Sequence, residues 1–110
     1  MPTDKTGAEA TVSATDGKYT IAVDGRTVGL EAVADRGEQR VFYHTEIDEE
    51  FGGRGLATIL IGEALAATRA EGKRVVPVCP TVGEYIKKHA EFSDITDEPT
   101  PAIIRWVESL

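Results

Sequence analysis

Apolar and polar positions change their period once along the chain, close to Glu50. Before that point they alternate, as in strands with one face buried. Lys18 to Val23 is a short run of β-branched and aromatic residues that ends at Asp24-Gly25, a dipeptide suited to hairpin turns. Arg26 to Ala34 reads as the returning strand, with Val28, Leu30, Ala32 and Ala34 expected on one face. Asp35-Arg36-Gly37-Glu38 turns the chain again, and Gln39 to Ile47 reads as a third strand. Its alternation places Val41, Tyr43, Thr45 and Ile47 on one face and Phe42, His44 and Glu46 on the other. Met1 to about Ala10 is polar, small and without period, and is expected to be a mobile tail ahead of one domain over residues 11–110.

Beyond Glu50 the spacing becomes helical. Ala57, Leu60, Ile61, Ala64 and Leu65 make an apolar stripe along a helix over Leu56 to Glu71, with Gly72 as a left-handed stop. Val75-Val76-Pro77-Val78 is a short apolar run that fits a strand over Arg74 to Cys79. Pro77 cannot donate a ladder hydrogen bond, so this strand belongs at an edge or partly parted from its neighbour. Pro80 closes it. Thr81 is expected to cap a second helix, with Glu84 completing a capping box and Tyr85, Ile86, Lys87, Lys88 and His89 carried on that helix. Thr100-Pro101 opens a last short helix whose apolar side is Ile103, Trp106, Val107 and Leu110, expected to dock on the domain. Strand, helix and strand from Gln39 to Cys79 form a β-α-β unit, which pairs its strands in parallel with a right-handed crossover. The expected class is α+β: a single mixed sheet, antiparallel meander plus parallel unit, with helices packed on it.

Composition narrows the possibilities. A chain of 110 residues fits one domain, and 41% hydrophobic residues argue against disorder. No run approaches the roughly 18 apolar residues of a membrane span. Met1-Pro2-Thr3-Asp4-Lys5 lacks the basic start and apolar stretch of a secretory signal. One cysteine, Cys79, permits no internal disulfide. The expectation is a cytoplasmic protein with no membrane partner. A net charge of −7 disfavours nucleic acid. A polyanionic ligand would have to be held by backbone amides and a few placed cations.

The change of period falls on a glycine-rich turn, Gly52-Gly53-Arg54-Gly55, between a strand and a helix. Glycines let a ligand approach the backbone. The first helical turn offers amides without intrahelical partners and the positive end of the helix dipole, which together suit a phosphate. Arg54 adds a cation. The same glycines would also serve a plain tight connection. Two better-known phosphate motifs do not fit. A Walker loop needs Lys and Ser or Thr where Leu56-Ala57 stand, and a Rossmann fingerprint needs a third glycine near Thr58 and a strand at the chain start.

Strand, Gly53-x-Gly55-x-Ala57, helix and strand together resemble the acetyl-CoA-binding core of the GCN5-related N-acetyltransferases. The resemblance runs from about Asp16 to Asp94. Tyr43-His44-Thr45-Glu46, Val75-Val76-Pro77-Val78-Cys79-Pro80 and Tyr85-Ile86-x-x-His89 are similar to the small YjdJ-like acetyltransferase group within it. Gly52 stands where the superfamily commonly has Gln or Arg. The resemblance implies acetyl-CoA as cosubstrate, held by Ile47, Gly52, Gly53, Arg54, Gly55, Leu56, Ala57, Tyr85 and Lys88. Its pantetheine arm would lie where strands Gln39–Ile47 and Arg74–Cys79 splay apart. The acceptor would be an amine of a small molecule or a protein. The N-terminal helices with which larger relatives build an acceptor pocket are not expected here, so a CoA-binding sensor or interaction module without catalysis is the alternative.

Acetyl transfer to an amine needs a neutral amine, donors for the oxyanion and a proton for the departing thiolate. Tyr85 stands where relatives often carry a general acid, though an aromatic there also suits the core rim. Cys79 ends a strand just before a helix, where a thiolate is favoured, and could take the acetyl group itself or act as an acid; a buried structural cysteine is the plainer alternative. His44, on the polar-looking face of the third strand, could serve as a base or be simply structural. His89 reads as structural or as a modest phosphate contact. The two histidines and the cysteine are too scattered for a metal site.

Overall fold

The computed structural model describes residues 3–110. Five strands form one sheet in chain order: β1 (Ala10–Thr15), β2 (Lys18–Val23), β3 (Arg26–Arg36), β4 (Gln39–Ile47) and β5 (Arg74–Pro77). The first four pair antiparallel, and β4 pairs with β5 in parallel. Helix α1 (Leu56–Ala70) crosses between β4 and β5, and α2 (Pro80–Lys88) and α3 (Pro101–Glu108) follow. The mixed sheet with packed helices is the architecture expected from the sequence.

The front face of the sheet carries Tyr19, Ile21, Val33 and Phe42 in the main core, which α1 covers with Leu56, Leu60, Ile61, Ala64 and Leu65. Leu56 takes the place in the buried stripe expected for Ala57, which stays half-exposed. On the back face Val41 and Val76 pack against Ile103 of α3, with Trp106 and Val107 beside them. Thr100 caps α3 by accepting from the Ile103 N–H at 3.2 Å. Leu110, expected on the docking side, is 64% exposed, because the helix ends at Glu108.

Two irregularities overturn the simple alternation. Ile21 pairs with Gly29 but Ala22 with Thr27, so Val28 is an extra, bulged residue. Val28, Glu31 and Val33 are therefore buried, while Leu30, Ala32 and Ala34 are half-exposed rather than sharing a face with Val28. Likewise Ala32 pairs with His44 but Val33 with Phe42, which leaves Tyr43 bulged. Thr45 now faces the front with Phe42, and His44 and Glu46 turn to the back.

Gly29 sits at the first bulge. A β-carbon there would lie 2.5 Å from Ile47 Cδ1 and 2.9 Å from the Glu46 carbonyl oxygen. The carbonyl belongs to a paired strand and cannot step aside. Gly29→Ala is expected to lose roughly 1–2 kcal/mol, the scale of a small overpacking, measurable as a lower urea midpoint with an unchanged slope.

The chain start and the start of α2 show features that the pattern did not. β1 was not visible in the sequence because Ala10-Thr11-Val12-Ser13-Ala14-Thr15 is small and polar, and only Ala10 is buried. Of the stretch expected as a tail, Met1 and Pro2 lie outside the described residues, and in the remainder Asp4 is 5% exposed, Ala10 is fully buried and Thr3 bridges Glu9. The aspartate supplies what an apolar anchor would otherwise supply, by accepting from Thr6 and Ala8. Finally, α2 begins at Pro80 with Cys79 as its N-cap, and no side-chain cap bond forms, so the Thr81–Glu84 box is not used. Proline at the first helical position presets φ and has no N–H to satisfy.

Arg40 is the main polar tie on the front face. Its guanidinium donates to Asp35 at 2.8 Å, to Glu71 at 2.8 Å and to the Tyr19 hydroxyl at 2.6 Å, joining the β3–β4 turn, the end of α1 and β2. Both carboxyls are held below their usual range, mainly by these hydrogen bonds.

Candidate functional site

After β4 a 3-10 turn, Glu49–Phe51, leads into the glycine turn. Gly53 and Gly55 have φ of 75° and 78°, in the left-handed region that favours glycine. The first bond of α1 runs from the Ile59 N–H to the Gly55 carbonyl at 3.2 Å. The N–H groups of Leu56, Ala57 and Thr58 therefore have no intrahelical acceptor and stand at the positive end of the helix. A β-carbon at Gly53 would meet no atom within 4 Å, so the backbone can be approached there.

Arg54 is not a free cation. Its Nε lies 2.7 Å from Asp4 Oδ2 without hydrogen-bond alignment, and one Nη donates to the Thr6 hydroxyl at 3.0 Å. The guanidinium also sits 4.8 Å above the Phe51 ring. The Lys5 N–H donates to the Arg54 carbonyl at 2.9 Å, so the chain start is laced to the turn. The Thr6 hydroxyl is the largest influence holding the Asp4 carboxyl below its usual range.

A cleft of about 180 Å³ separates the start of α1 from α2. Ala57, Thr58 and Ile61 form one wall, and Thr81, Glu84, Tyr85, Lys88 and His89 the other. Three residues expected to face one ligand, Ala57, Tyr85 and Lys88, thus share one space. Leu56 is in the core, so only its amide can serve. Ile47 packs at the end of β4 and does not line this cleft. Tyr85 stacks on His89 at 3.9 Å, and its hydroxyl approaches α1 at Gly62, where a β-carbon would come within 2.7 Å of it. Burial first, then Glu91 and Glu63, raise the Tyr85 pKa, so the phenol keeps its proton.

Deeper in, β4 and β5 pair only from Gln39 to Phe42 and from Arg74 to Pro77. The last tie is the Cys79 N–H to the Phe42 carbonyl at 2.9 Å. Beyond it β4 runs on without β5, still paired with β3, and Thr45 Oγ1 lies 3.2 Å from Cys79 Sγ. The Thr45 hydroxyl donates to Oε1 of Glu31, which is fully buried, while Glu31 Oε2 has no partner. Burial raises the Glu31 carboxyl to about 7, against the opposing pull of the Thr45 hydroxyl and the His44 amide. His44 itself is on the back face, 56% exposed and 3.5 Å from Glu46, and is not brought to Cys79 or Tyr85. Glu31 and Thr45 were missed in the sequence. The available signal was a lone acid inside the apolar run Val28 to Ala34. Among the described residues no group of three or more His, Cys, Asp or Glu could hold a metal ion, and no helix is long and apolar enough to cross a membrane.

A meander feeding a parallel β-α-β unit, with a glycine turn at the start of its helix and a gap between its two strands, defines a protein of the N-acetyltransferase type. Residues 18–95 match the family described as GCN5-related N-acetyl-transferase. The chain belongs to that family. The fold is similar to the NMR solution structure of a GCN5-like candidate N-acetyltransferase from Staphylococcus aureus. That likeness has a TM-score of 0.63 at 14% identity, over 83% of this chain and 91% of the other. No curated protein matches the chain.

Proposed function

We propose that the protein binds acetyl-CoA and transfers its acetyl group to an amine of a small molecule or a protein. The observation that carries this reading is the cleft between α1 and α2, whose walls include Ala57 and Thr58, the residues with unpaired amides, together with Tyr85 and Lys88. The residues present fit a diphosphate. Leu56, Ala57 and Thr58 offer N–H donors, Gly53 leaves room, and Lys88 adds a cation. Arg54 could join only by exchanging Asp4 for the ligand. Acetyl-CoA supplies the acetyl group as an activated thioester. Tyr85, which keeps its proton, is suited to donate it to a departing thiolate.

Titrating acetyl-CoA into labelled protein tests this. The amide signals of Gly53 to Ala57 should move. Ala57→Glu, which puts bulk and negative charge into the cleft, should weaken binding by at least about tenfold, or 1.4 kcal/mol. Unmoved signals at millimolar acetyl-CoA would refute the reading. One observation favours a second reading, CoA binding without transfer: the Tyr85 hydroxyl is aimed at Gly62. A pure binder would show no turnover with any amine, and Tyr85→Phe would leave its affinity unchanged.

A further inference from the structure

The chain Glu31–Thr45–Cys79, buried at both ends, has no place in the cofactor cleft, yet it ends on the only thiol of the protein. Thr45 has a single hydroxyl proton, and Glu31 Oε1 accepts it. With Glu31 ionised, the contact between Thr45 and Cys79 must then run from the thiol to the Thr45 oxygen. With Glu31 protonated, the carboxyl can donate to Thr45, and the Thr45 hydroxyl is released to point at sulfur. One threonine thus connects the charge on Glu31 with the charge on Cys79. Oε2 has no hydrogen-bond partner, and besides Thr45 only the His44 backbone N–H acts on the carboxyl.

We propose that Glu31 is a positioning residue that, through the Thr45 hydroxyl, takes up the proton of Cys79 as that thiol accepts an acetyl group. This rests on the transferase reading above. The Cys79 S–H bond breaks and its proton goes to Thr45 Oγ1, while the Thr45 proton goes to Glu31. The electron pair left on sulfur forms a bond to the acetyl carbonyl carbon. The carbonyl carbon's bond to the donor's leaving group breaks, and that group departs with the bonding pair. When a neutral amine later takes the acetyl group, its nitrogen lone pair bonds to the acetyl carbon, the bond from that carbon to Cys79 Sγ breaks with its pair left on sulfur, and the extra proton on nitrogen is released to water. The proton on Glu31 then returns along the same path.

No other side chain competes with Thr45 for Glu31. Tyr19, opposite it on β2, is bonded to Arg40, and Arg40 on β4 is committed to Asp35 and Glu71. His44 faces the back. On α1, Thr68 donates to its own helix, Arg69 holds Asp94, and Glu63 is exposed. On α2, Tyr85 stacks on His89.

The test uses p-nitrophenyl acetate, a small acetyl donor that needs no CoA site, with Cys79 labelling read by peptide mass and rate followed from about pH 5 to about pH 9. The wild-type rate should rise through an inflection at about 7. Glu31→Gln and Thr45→Val should each lose that inflection and slow acetylation roughly a hundredfold above it, with folded amide spectra. Cys79→Ala should take no label. A wild-type profile without the inflection would overturn the proposal and needs no variant. So would wild-type rates in either folded variant. If the ester reaction depends on Glu31 while acetyl-CoA does not bind, the cofactor reading fails and the relay stands. If acetyl-CoA binds and Cys79 acylates independently of Glu31, the relay fails alone.

Discussion

Glu31→Gln should be more stable than wild type at about pH 8 by about 3 kcal/mol, and the gain should fade towards about pH 5. The fully buried Glu31 carboxyl has its pKa moved from an ordinary 4.5 to about 7, chiefly by burial. Between those values the folded protein holds a proton that the unfolded chain has released. Stability therefore falls as pH rises through this window, and the whole cost is present above about 7. An interval of that width corresponds to about 3 kcal/mol of differential stability. Glutamine has the same shape and no charge to bury. Urea unfolding of both proteins at several pH values checks this, and parallel curves would show that Glu31 is not the source. Together with the lost relay, the outcome is a more stable protein that acylates poorly, the exchange expected where a site carries strain that serves chemistry.

Arg40→Ala should cost about 3 kcal/mol, the low end for breaking a buried ion pair, because both partner carboxylates are partly exposed and water compensates them in part. The guanidinium side chain is only 9% exposed, against 42% for Asp35 and 51% for Glu71. Its removal also strands the Tyr19 hydroxyl and opens a void against the Tyr19 ring, 5.9 Å from the guanidinium carbon. Arg40→Lys should recover little, since one ammonium cannot reproduce a fork whose Nε reaches Asp35 and Nη1 reaches Glu71 while Nη2 donates to both. The sign with pH is opposite to that of Glu31. Asp35 and Glu71 have depressed pKa values, so their contribution is present above the unfolded range and is lost as pH falls. Comparing urea midpoints of wild type and Arg40→Ala at neutral and acid pH should show the gap narrowing on the acid side.

Helices were the most legible part of this sequence, because the stripe Leu60, Ile61, Ala64, Leu65 needs only one face and one period. β2 and β4 were legible for the same reason. β1 was not, since an edge strand of Ala, Thr and Ser buries almost nothing that a pattern could show. The bulges at Val28 and Tyr43 were invisible because one extra residue leaves composition unchanged while reversing every side chain beyond it. That reversal decided where one candidate and one unforeseen residue point. It turned His44 away from Cys79, and it brought Thr45 round to face Glu31. Ala57, Tyr85 and Lys88 were assigned to one ligand by the family resemblance and not by any spacing in the chain, and they line one cleft. The pairing of Arg54 with Asp4 could not be foreseen, because it joins the turn to a polar segment with no periodicity.

The single tryptophan, Trp106, rides on α3 against the back of the sheet, with the Arg36 guanidinium 5.9 Å from its ring. Its neighbours Val41 and Val76 belong to the paired stretch of β4 and β5 that closes the front gap. The only strong fluorophore is thus separated by one sheet thickness from anything that enters between α1 and α2. Its emission follows the melting of that strand pair while staying blind to a guest on the opposite side, so one cuvette can time unfolding and occupancy as separate events.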